Sequence, residues 1–417
     1  MNRVKGFFLH ISLYIAALAN WLGVGAFVGA VGGAVGAAFH IGVEGATTLR
    51  LAHPWIIWLL PVGGVVIVAL YRLTHMEGRG TNNIIDSVHF GKDIPIILVP
   101  LIFISTCLTH LLGGSAGREG AALQIGGGIG YRTGHALQLD EKELPLATLC
   151  GMSAVFAALF GTPLTATVFA LEVISVGVLY YAGLIPCLVA AAMGYTVSGL
   201  LGVAPTRFVV SVPPLEAWTL VLVLALSVAC ALVSILFVRG MHLIERLAAR
   251  GLKNPYLRAA AGGCALIALT WLLGTDYNGA GMDVIARAMT GQADHWAWLA
   301  KILFTALTIG CGFKGGEVVP SFFVGATFGC VAAQALGLPG GFGAAIGLVS
   351  VFCGAVNCPI ASLLLSMELF GCTDQLLYFA FACAISYLLS GYCGLYSSQT
   401  ILYSKLRAEF INVHAKE

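Results

Sequence analysis

Apolar residues along the chain form runs of two lengths. The long runs, at 11–46, 55–71, 95–112, 177–203, 215–238 and 259–273, approach or exceed the roughly 20 residues of a straight membrane helix. The short runs, at 82–91, 119–130, 163–174, 282–291, 317–329 and 359–370, fall below that length. Several of them begin at a proline or a glycine-rich turn, where helices start. This pattern predicts an all-α polytopic membrane protein with broken and re-entrant helices, which membranes tolerate where the irregular backbone is buried or lines a cavity.

The two halves of the chain resemble each other in three blocks. The segment 161–172 matches 357–368, with proline aligned to proline and glutamate to glutamate. The segment 84–91 matches 284–291, and 117–119 matches 315–317, at nearly the same separation along the chain. Duplicated halves with interrupted helices at matching positions are typical of transporters whose site lies at the repeat interface. We therefore predict a first membrane repeat at 1–205 and a second at 206–417. No soluble regulatory domain is expected, and only one helix and a short tail should follow Tyr396.

Composition supports a membrane protein and excludes other classes. Hydrophobic residues make up 59% of the 417 residues, charged residues make up 10%, and the mean hydropathy is +0.93. A soluble domain carries roughly 25% charged residues. The balance of 21 Lys and Arg against 19 Asp and Glu gives no basic character for binding nucleic acid. The 12 cysteines lie in apolar runs without metal-ligand or disulfide spacing, so they are interpreted as small packing residues.

Basic residues give an incomplete indication of orientation. Those near the two ends of the chain favour a cytoplasmic location of both termini: Arg3, Lys5, Lys405, Arg407 and Lys416. The stretch 239–258 is also basic, which complicates this assignment.

The segment from Gly113 to Gly127 has the strongest functional pattern. It reads GGSAGREGAALQIGG, a glycine-rich approach followed by Arg118, Glu119 and a helical run. Glycines let backbone amides turn toward a ligand, and the helix N-terminus adds a positive dipole end, so this geometry binds anions. Two interpretations of Glu119 are open, and the simpler one is a helix-cap acid paired with Arg118. Because ionisable residues inside membranes are functional by default, we interpret Glu119 as a gate that competes with the anion.

The second half contains a counterpart of this segment. Lys314 is followed by GGEVVP, which combines paired glycines, Glu317 and Pro320 in a helical first turn. The two helix N-termini are predicted to converge on one site. Lys314 either adds positive potential there or extends to the membrane interface.

These motifs resemble those of the CLC chloride channels and anion/proton antiporters. The segments GSAGREG, GGEVVP and GLY, the last ending at Tyr396, carry the resemblance, which extends along essentially the whole chain. It implies two inverted repeats that form a homodimer with one pore per subunit. It also implies that Glu119 is the external gate and that the anion contacts backbone amides and the Tyr396 hydroxyl. The anion-binding residues that we predict are Gly117, Arg118, Gly120, Val318, Val319, Tyr396, Gly80, Thr81 and Asn82.

Three departures from the chloride members favour the fluoride-exporting branch. The turn at 78–83 lacks the serine and proline of the chloride members, and Val173 replaces the second of two consecutive acids. Glu317 stands where chloride members commonly have an apolar residue, so Glu119 and Glu317 are the predicted proton-coupling pair. Val319 argues the other way, since a hydroxyl residue is expected there in that branch. Ala121 also departs from the proline that often follows the GREG motif.

The sequence thus predicts fluoride/proton antiport across the cell (inner) membrane without a cofactor. A chloride channel or chloride/proton antiporter is the first alternative. An intramembrane enzyme is a remote one, since Ser115 has no helix-spaced histidine and no metal-binding cluster is present. A carrier of organic solutes would need more side-chain hydrogen bonds than these motifs provide.

Overall fold

The computed structural model describes residues 2–416, with side chains from Ser12 onward. The side chains of Arg3 and Lys5, used for the orientation above, lie outside the described part. Eight helices form the first half: α1 (Asn2–Ala52), α2 (Leu60–Leu73), α3 (Thr81–Phe90), α4 (Leu98–Leu112), α5 (Glu119–Ala136), α6 (Leu144–Phe160), α7 (Pro163–Glu172) and α8 (Leu184–Leu200). A 3₁₀ helix at Pro54–Leu59 connects α1 to α2, and a second at Tyr181–Gly183 precedes α8.

The second half repeats the same order of long and short helices. Its members are α9 (Ala217–Gly251), α10 (Pro255–Leu273), α11 (Met282–Met289), α12 (Ala297–Gly310), α13 (Val318–Ala335), α14 (Gly340–Val356), α15 (Pro359–Phe370) and α16 (Leu376–Leu389). The short helices predicted at 163–174 and 359–370 are α7 and α15, and both begin at the expected proline. Within the described residues, six helical segments are long and apolar enough to cross a membrane. Most of the remaining helices are shorter, as expected of broken and re-entrant segments.

The same close crossing of two helices occurs in each half. In the first half, a Cβ added to Gly151 of α6 would lie 2.1 Å from the carbonyl oxygen of Gly126 in α5. In the second half, a Cβ at Gly347 of α14 would lie 2.1 Å from the carbonyl oxygen of Gly325 in α13. No real side chain fits at such distances, so both crossings bring backbone against backbone. The two crossings anchor α5 and α13, the helices whose N-termini form the site.

Two glutamates join α7 to α15 in a reciprocal manner. At the end of α7, Glu172 accepts hydrogen bonds from the N–H groups of Ile360 and Ala361 at the start of α15, at 3.2 and 2.9 Å. Near the end of α15, Glu368 accepts from the N–H groups of Leu164 and Thr165 at the start of α7, at 3.0 and 2.8 Å. Each carboxylate thus satisfies orphan donors at the other helix's N-terminus. The end of each helix meets the start of the other, so α7 and α15 are antiparallel, as expected for inverted repeats.

The segment after Tyr396 differs from the prediction of a helix. It forms β2 (Thr400–Tyr403) and β3 (Phe410–His414), which pair antiparallel, and β1 (Ser175–Val176) pairs parallel with β2. The prediction was wrong because this segment alternates side chains in the period of a strand, and its alternate residues fill a small core. Val176, Ile401 and Ala415 form that core. The sheet fixes the chain that follows Tyr396 against the end of α7.

The cysteines are consistent with a packing role. All twelve are free, and most are buried. Cys264 on α10 is exposed, at a position of the helix that faces away from the protein core.

Candidate anion and proton site

Two glycine turns cross at the centre of the molecule. The N–H of Gly117 donates to the carbonyl of Gly316, and the N–H of Gly316 donates back to Gly117, both at 2.7 Å. Helix α5 begins two residues after the first glycine, and α13 begins two residues after the second. The first amides of a helix have no intrahelical partner. The crossing therefore brings two sets of free N–H groups and two positive dipole ends to one place, as the sequence predicts.

Gly120 is a glycine because the second turn passes directly against it. A Cβ at Gly120 would lie 2.9 Å from the Cα of Gly316 and 3.2 Å from Oε2 of Glu317. The Glu317 carboxylate thus lies beside the first turn of α5. Val318 and Val319, the predicted amide donors of α13, are both buried here.

Glu119 is fully buried at the start of α5. Its Oε2 accepts a hydrogen bond of 2.9 Å from the backbone N–H of Arg118, and its Oε1 lies 3.4 Å from Nε of the Arg118 side chain. The carboxylate also folds back over Gly117, where a Cβ would lie 2.7 Å from Oε2. The charge of Glu119 is therefore balanced within its own turn. Arg118 is one of the predicted anion ligands, and its guanidinium lies beside Glu119. Its Nη2 also lies 3.5 Å from the carbonyl oxygen of Leu159.

A cavity of about 240 Å³ lies beside the glycine crossing, with Gly315 and Glu317 in its wall. It runs between the loop before α3, the last turns of α9, the turn before α13 and the chain leading into the C-terminal sheet. We call it the tail-side cavity. Among the residues that line it are Gly80, Thr81, Asn82, Glu317 and Tyr396 from the predicted site. Glu317 is partly exposed, in contrast to the fully buried Glu119. Glu317 thus lines this cavity, whereas Glu119 does not.

Tyr396 lies at the inner end of the tail-side cavity. Its side chain is 3% exposed, and within the described residues its hydroxyl has no hydrogen-bond partner. A buried hydroxyl without a partner is costly unless it serves a ligand. The N–H of Leu395 donates to Ala355, which fixes the segment, and the carbonyl of Tyr396 accepts from Gln399.

The predicted residues of the first turn of α3 are positioned by hydrogen bonds. Gly80 caps α3 in an extended conformation, and its N–H donates to Asn83 at 2.8 Å. Asn82 donates to the Ser397 hydroxyl at 3.1 Å, so it joins this turn to the segment beside Tyr396. The Thr81 hydroxyl accepts at 3.1 Å from Gln124.

Four polar residues of the cavity wall were not predicted: Arg79, Gln124, His242 and Glu245. Gln124 is one turn beyond Gly120 on α5 and donates to the Gly120 carbonyl at 3.3 Å. Gln124 is polar within a run of Ala, Leu, Ile and Gly, and this could have indicated a functional position from the sequence alone. His242 and Glu245 of α9 also line the cavity. They lie in a strongly polar part of α9, so the sequence could not distinguish residues of the cavity wall from residues of the surface.

Known proteins resemble this chain along most of its length. The family model for voltage gated chloride channels, the CLC family, matches residues 62–391. A "Chloride/fluoride channel protein" of Pseudomonas syringae pv. tomato is 38% identical over 401 residues, covering 93% of this chain and 88% of that protein. The chain is also similar to the crystal structure of a CLC-type fluoride/proton antiporter, with a TM-score of 0.89 and 33% identity over 92% of this chain and 98% of that one. A slow cyanobacterial Cl⁻/H⁺ antiporter shares the fold, with a TM-score of 0.77 and 18% identity over 89% of this chain and 94% of that one.

The chain therefore belongs to the CLC family. It is a polytopic membrane protein that transports anions, and members of this family are channels and transporters rather than enzymes.

Proposed function

We propose that this protein exchanges fluoride for protons, with Glu119 and Glu317 as the two proton-carrying groups. The observation that carries the proposal is the placement of two carboxylates beside the Gly117–Gly316 crossing, at the N-termini of α5 and α13. Acids at an anion-attracting site repel the anion when charged and admit it when protonated. Proton binding and anion binding are then linked by the same electrostatics.

The anion ligands in this proposal are mainly donors. Fluoride is small and strongly hydrated, so it requires close N–H and O–H groups to replace its water. The free amides of Gly120, Val318 and Val319 and the unpartnered hydroxyl of Tyr396 provide such groups. The 33% identity to a fluoride/proton antiporter supports the same anion.

Chloride transport is the second candidate, and Val319 is the observation that favours it. Its side chain is buried at the start of α13 and is apolar, so it provides no hydroxyl donor there. A larger and more weakly hydrated anion tolerates such a side chain better than fluoride does.

A flux assay in liposomes separates the two candidates. The purified protein is reconstituted, and fluoride, chloride or nitrate efflux is recorded together with internal pH. We expect fluoride efflux to drive proton uptake against a proton gradient, with much slower movement of the other anions. Efflux of chloride and nitrate at the rate of fluoride, with no proton movement, would contradict the proposal and favour a chloride conductor.

We further propose that the protein works as a homodimer in the cell membrane, with the boundary between its two repeats in the segment 201–216. In support, this segment is not helical and links α8 to α9. The homodimer rests on the resemblance to the CLC family, and the mass of the detergent-solubilised particle, measured by light scattering, tests it.

A further inference from the structure

Glu245 occupies the mouth of the tail-side cavity. Its carboxylate side chain is 63% exposed to solvent, yet the residue also lines the cavity whose inner end is formed by Glu317 and Tyr396. A single cavity therefore connects a solvent-exposed acid with the inner acid of the proposed proton pair.

The backbone fixes the position of Glu245. Helices α9 and α12 approach closely at Gly310, where an added Cβ would lie 3.0 Å from the Cα of Glu245. One turn earlier on α9, Nε2 of His242 lies 3.3 Å from the carbonyl of Gly394, close to Tyr396. Nδ1 of the same ring lies 4.0 Å from Oε2 of Glu245. Glu245 thus projects from a wall that is packed on both sides.

The charges around the cavity make an acid at its mouth unexpected for simple anion conduction. The titratable and charged groups that line it, besides Glu245 and Glu317, are Arg79, His242, Lys314 and Tyr396. The Lys314 ammonium lies 4.5 Å from the centre of the Tyr71 ring and interacts electrostatically with Glu245, Glu317 and Arg258. Basic groups attract an anion, whereas a carboxylate at the mouth repels it. A role in proton movement accounts for the acid.

We propose that Glu245 is the residue that loads protons from the tail side of the membrane onto Glu317. The Glu245 carboxylate takes a proton from solvent and releases it into the cavity, and the Glu317 carboxylate accepts it. A cavity of about 240 Å³ has room for roughly eight waters at about 30 Å³ each, enough to bridge the two acids. No electron moves, and the net change is one proton transferred from solvent to Glu317.

This inference rests on the proposed proton exchange, and one variant tests it. Glu245→Gln keeps the shape of the side chain but cannot carry a proton. In liposomes that hold a fluoride gradient, we expect its proton transport to fall tenfold or more, while fluoride binding measured by calorimetry is retained or strengthened, because a repelling charge has been removed. Glu245→Asp, which keeps the carboxylate, should restore at least half of the proton transport.

Glu77 provides the matched control. It is an exposed acid beside the same mouth, 3.9 Å from Arg72, but it does not line the tail-side cavity. Glu77→Gln makes the same change of charge on the same face, and we expect wild-type proton transport. An equal loss in both variants would mean that surface charge alone is responsible and would overturn the role of Glu245.

Two further outcomes separate this inference from the function on which it rests. If Glu245→Gln moves protons at the wild-type rate and ratio, Glu245 is not the loading residue, whereas the exchange stands. If the wild-type protein moves fluoride without protons, the proposed exchange itself is wrong and Glu245 has no proton to load. The dependence of proton transport on pH gives an independent readout. It should change in Glu245→Gln and remain unchanged in Glu77→Gln.

Discussion

The Glu119 carboxylate is buried in its own turn, where Arg118 balances its charge. Glutamine in its place keeps the shape of the side chain but carries no exchangeable proton. We therefore expect Glu119→Gln to abolish proton movement while anions still pass. The measurement is internal pH during fluoride efflux from liposomes. If this variant still drives protons uphill, Glu119 is not the gate.

Tyr396 offers a test of the anion site that leaves the fold intact. Because its buried hydroxyl has no partner in the described structure, Tyr396→Phe breaks no internal hydrogen bond. One lost donor costs roughly 0.5–1.5 kcal/mol, or about two- to tenfold in affinity, and more toward a charge. Titration calorimetry with fluoride and chloride should show this loss at an unchanged melting temperature. Identical isotherms for both proteins would remove Tyr396 from the site.

A variant of Glu317 distinguishes whether this acid carries protons or has only a structural role. Its carboxylate lies beside Gly120 and reaches the tail-side cavity. As a simple helix-terminus acid it would contribute roughly 0.3–1 kcal/mol to stability. We expect Glu317→Gln to keep anion binding and lose proton transport in the liposome assay. Exchange at the wild-type ratio would make Glu317 structural and would strengthen the case for a chloride conductor.

At the scale of elements, the reciprocal caps of α7 and α15 are the clearest stabilising feature. Glu368 accepts from two N–H groups and from the hydroxyl of Thr165 at 2.6 Å. Glu368→Ala leaves those donors unpaired, at a cost of roughly 1–3 kcal/mol. We expect a lower melting temperature in detergent, and Glu172→Ala should behave alike since it disrupts the equivalent cap. Glu409→Ala, at an exposed position of the tail, is the control. If its melting temperature falls as far, the caps have no special role.

The elements also show which features the sequence could predict. The paired blocks at 161–172 and 357–368 correctly indicated α7 and α15, because proline and glutamate are required at the two ends of each cap. The meeting of the two glycine turns was also predictable, because each turn contains a recognisable glycine motif followed by a glutamate. The strands after Tyr396 were missed because a short alternating segment becomes a strand only when β1 offers it an edge. Glu245 was missed because its function depends on Glu317, which is distant in sequence and is adjacent only in the folded cavity.

At the scale of the whole molecule, the inverted halves explain why both the termini and the stretch 239–258 are basic. In an inverted repeat the equivalent helices α1 and α9 run in opposite directions, so we expect α9 to end on the side where α1 begins. The contact of His242 with Gly394 places the C-terminal tail on that side as well. The basic stretch at 239–258 therefore adds to the charge of the termini instead of opposing it. Exposed basic residues of this side include Arg246, Arg250, Lys253 and Arg407. By the positive-inside rule, this side should face the cytoplasm.

Cysteine labelling tests the orientation of the second half. Lys253 is exposed in the loop after α9, on the proposed cytoplasmic side, and His295 is exposed before α12, on the opposite side. A membrane-impermeant thiol reagent should label His295→Cys in intact cells, whereas Lys253→Cys should react only after the cells are permeabilised. The wild-type protein, with its twelve free cysteines, gives the background. The reverse pattern would place the termini outside. Labelling of both variants from the same side would contradict the fold of the second half, because α12 would then start on the side where α9 ends.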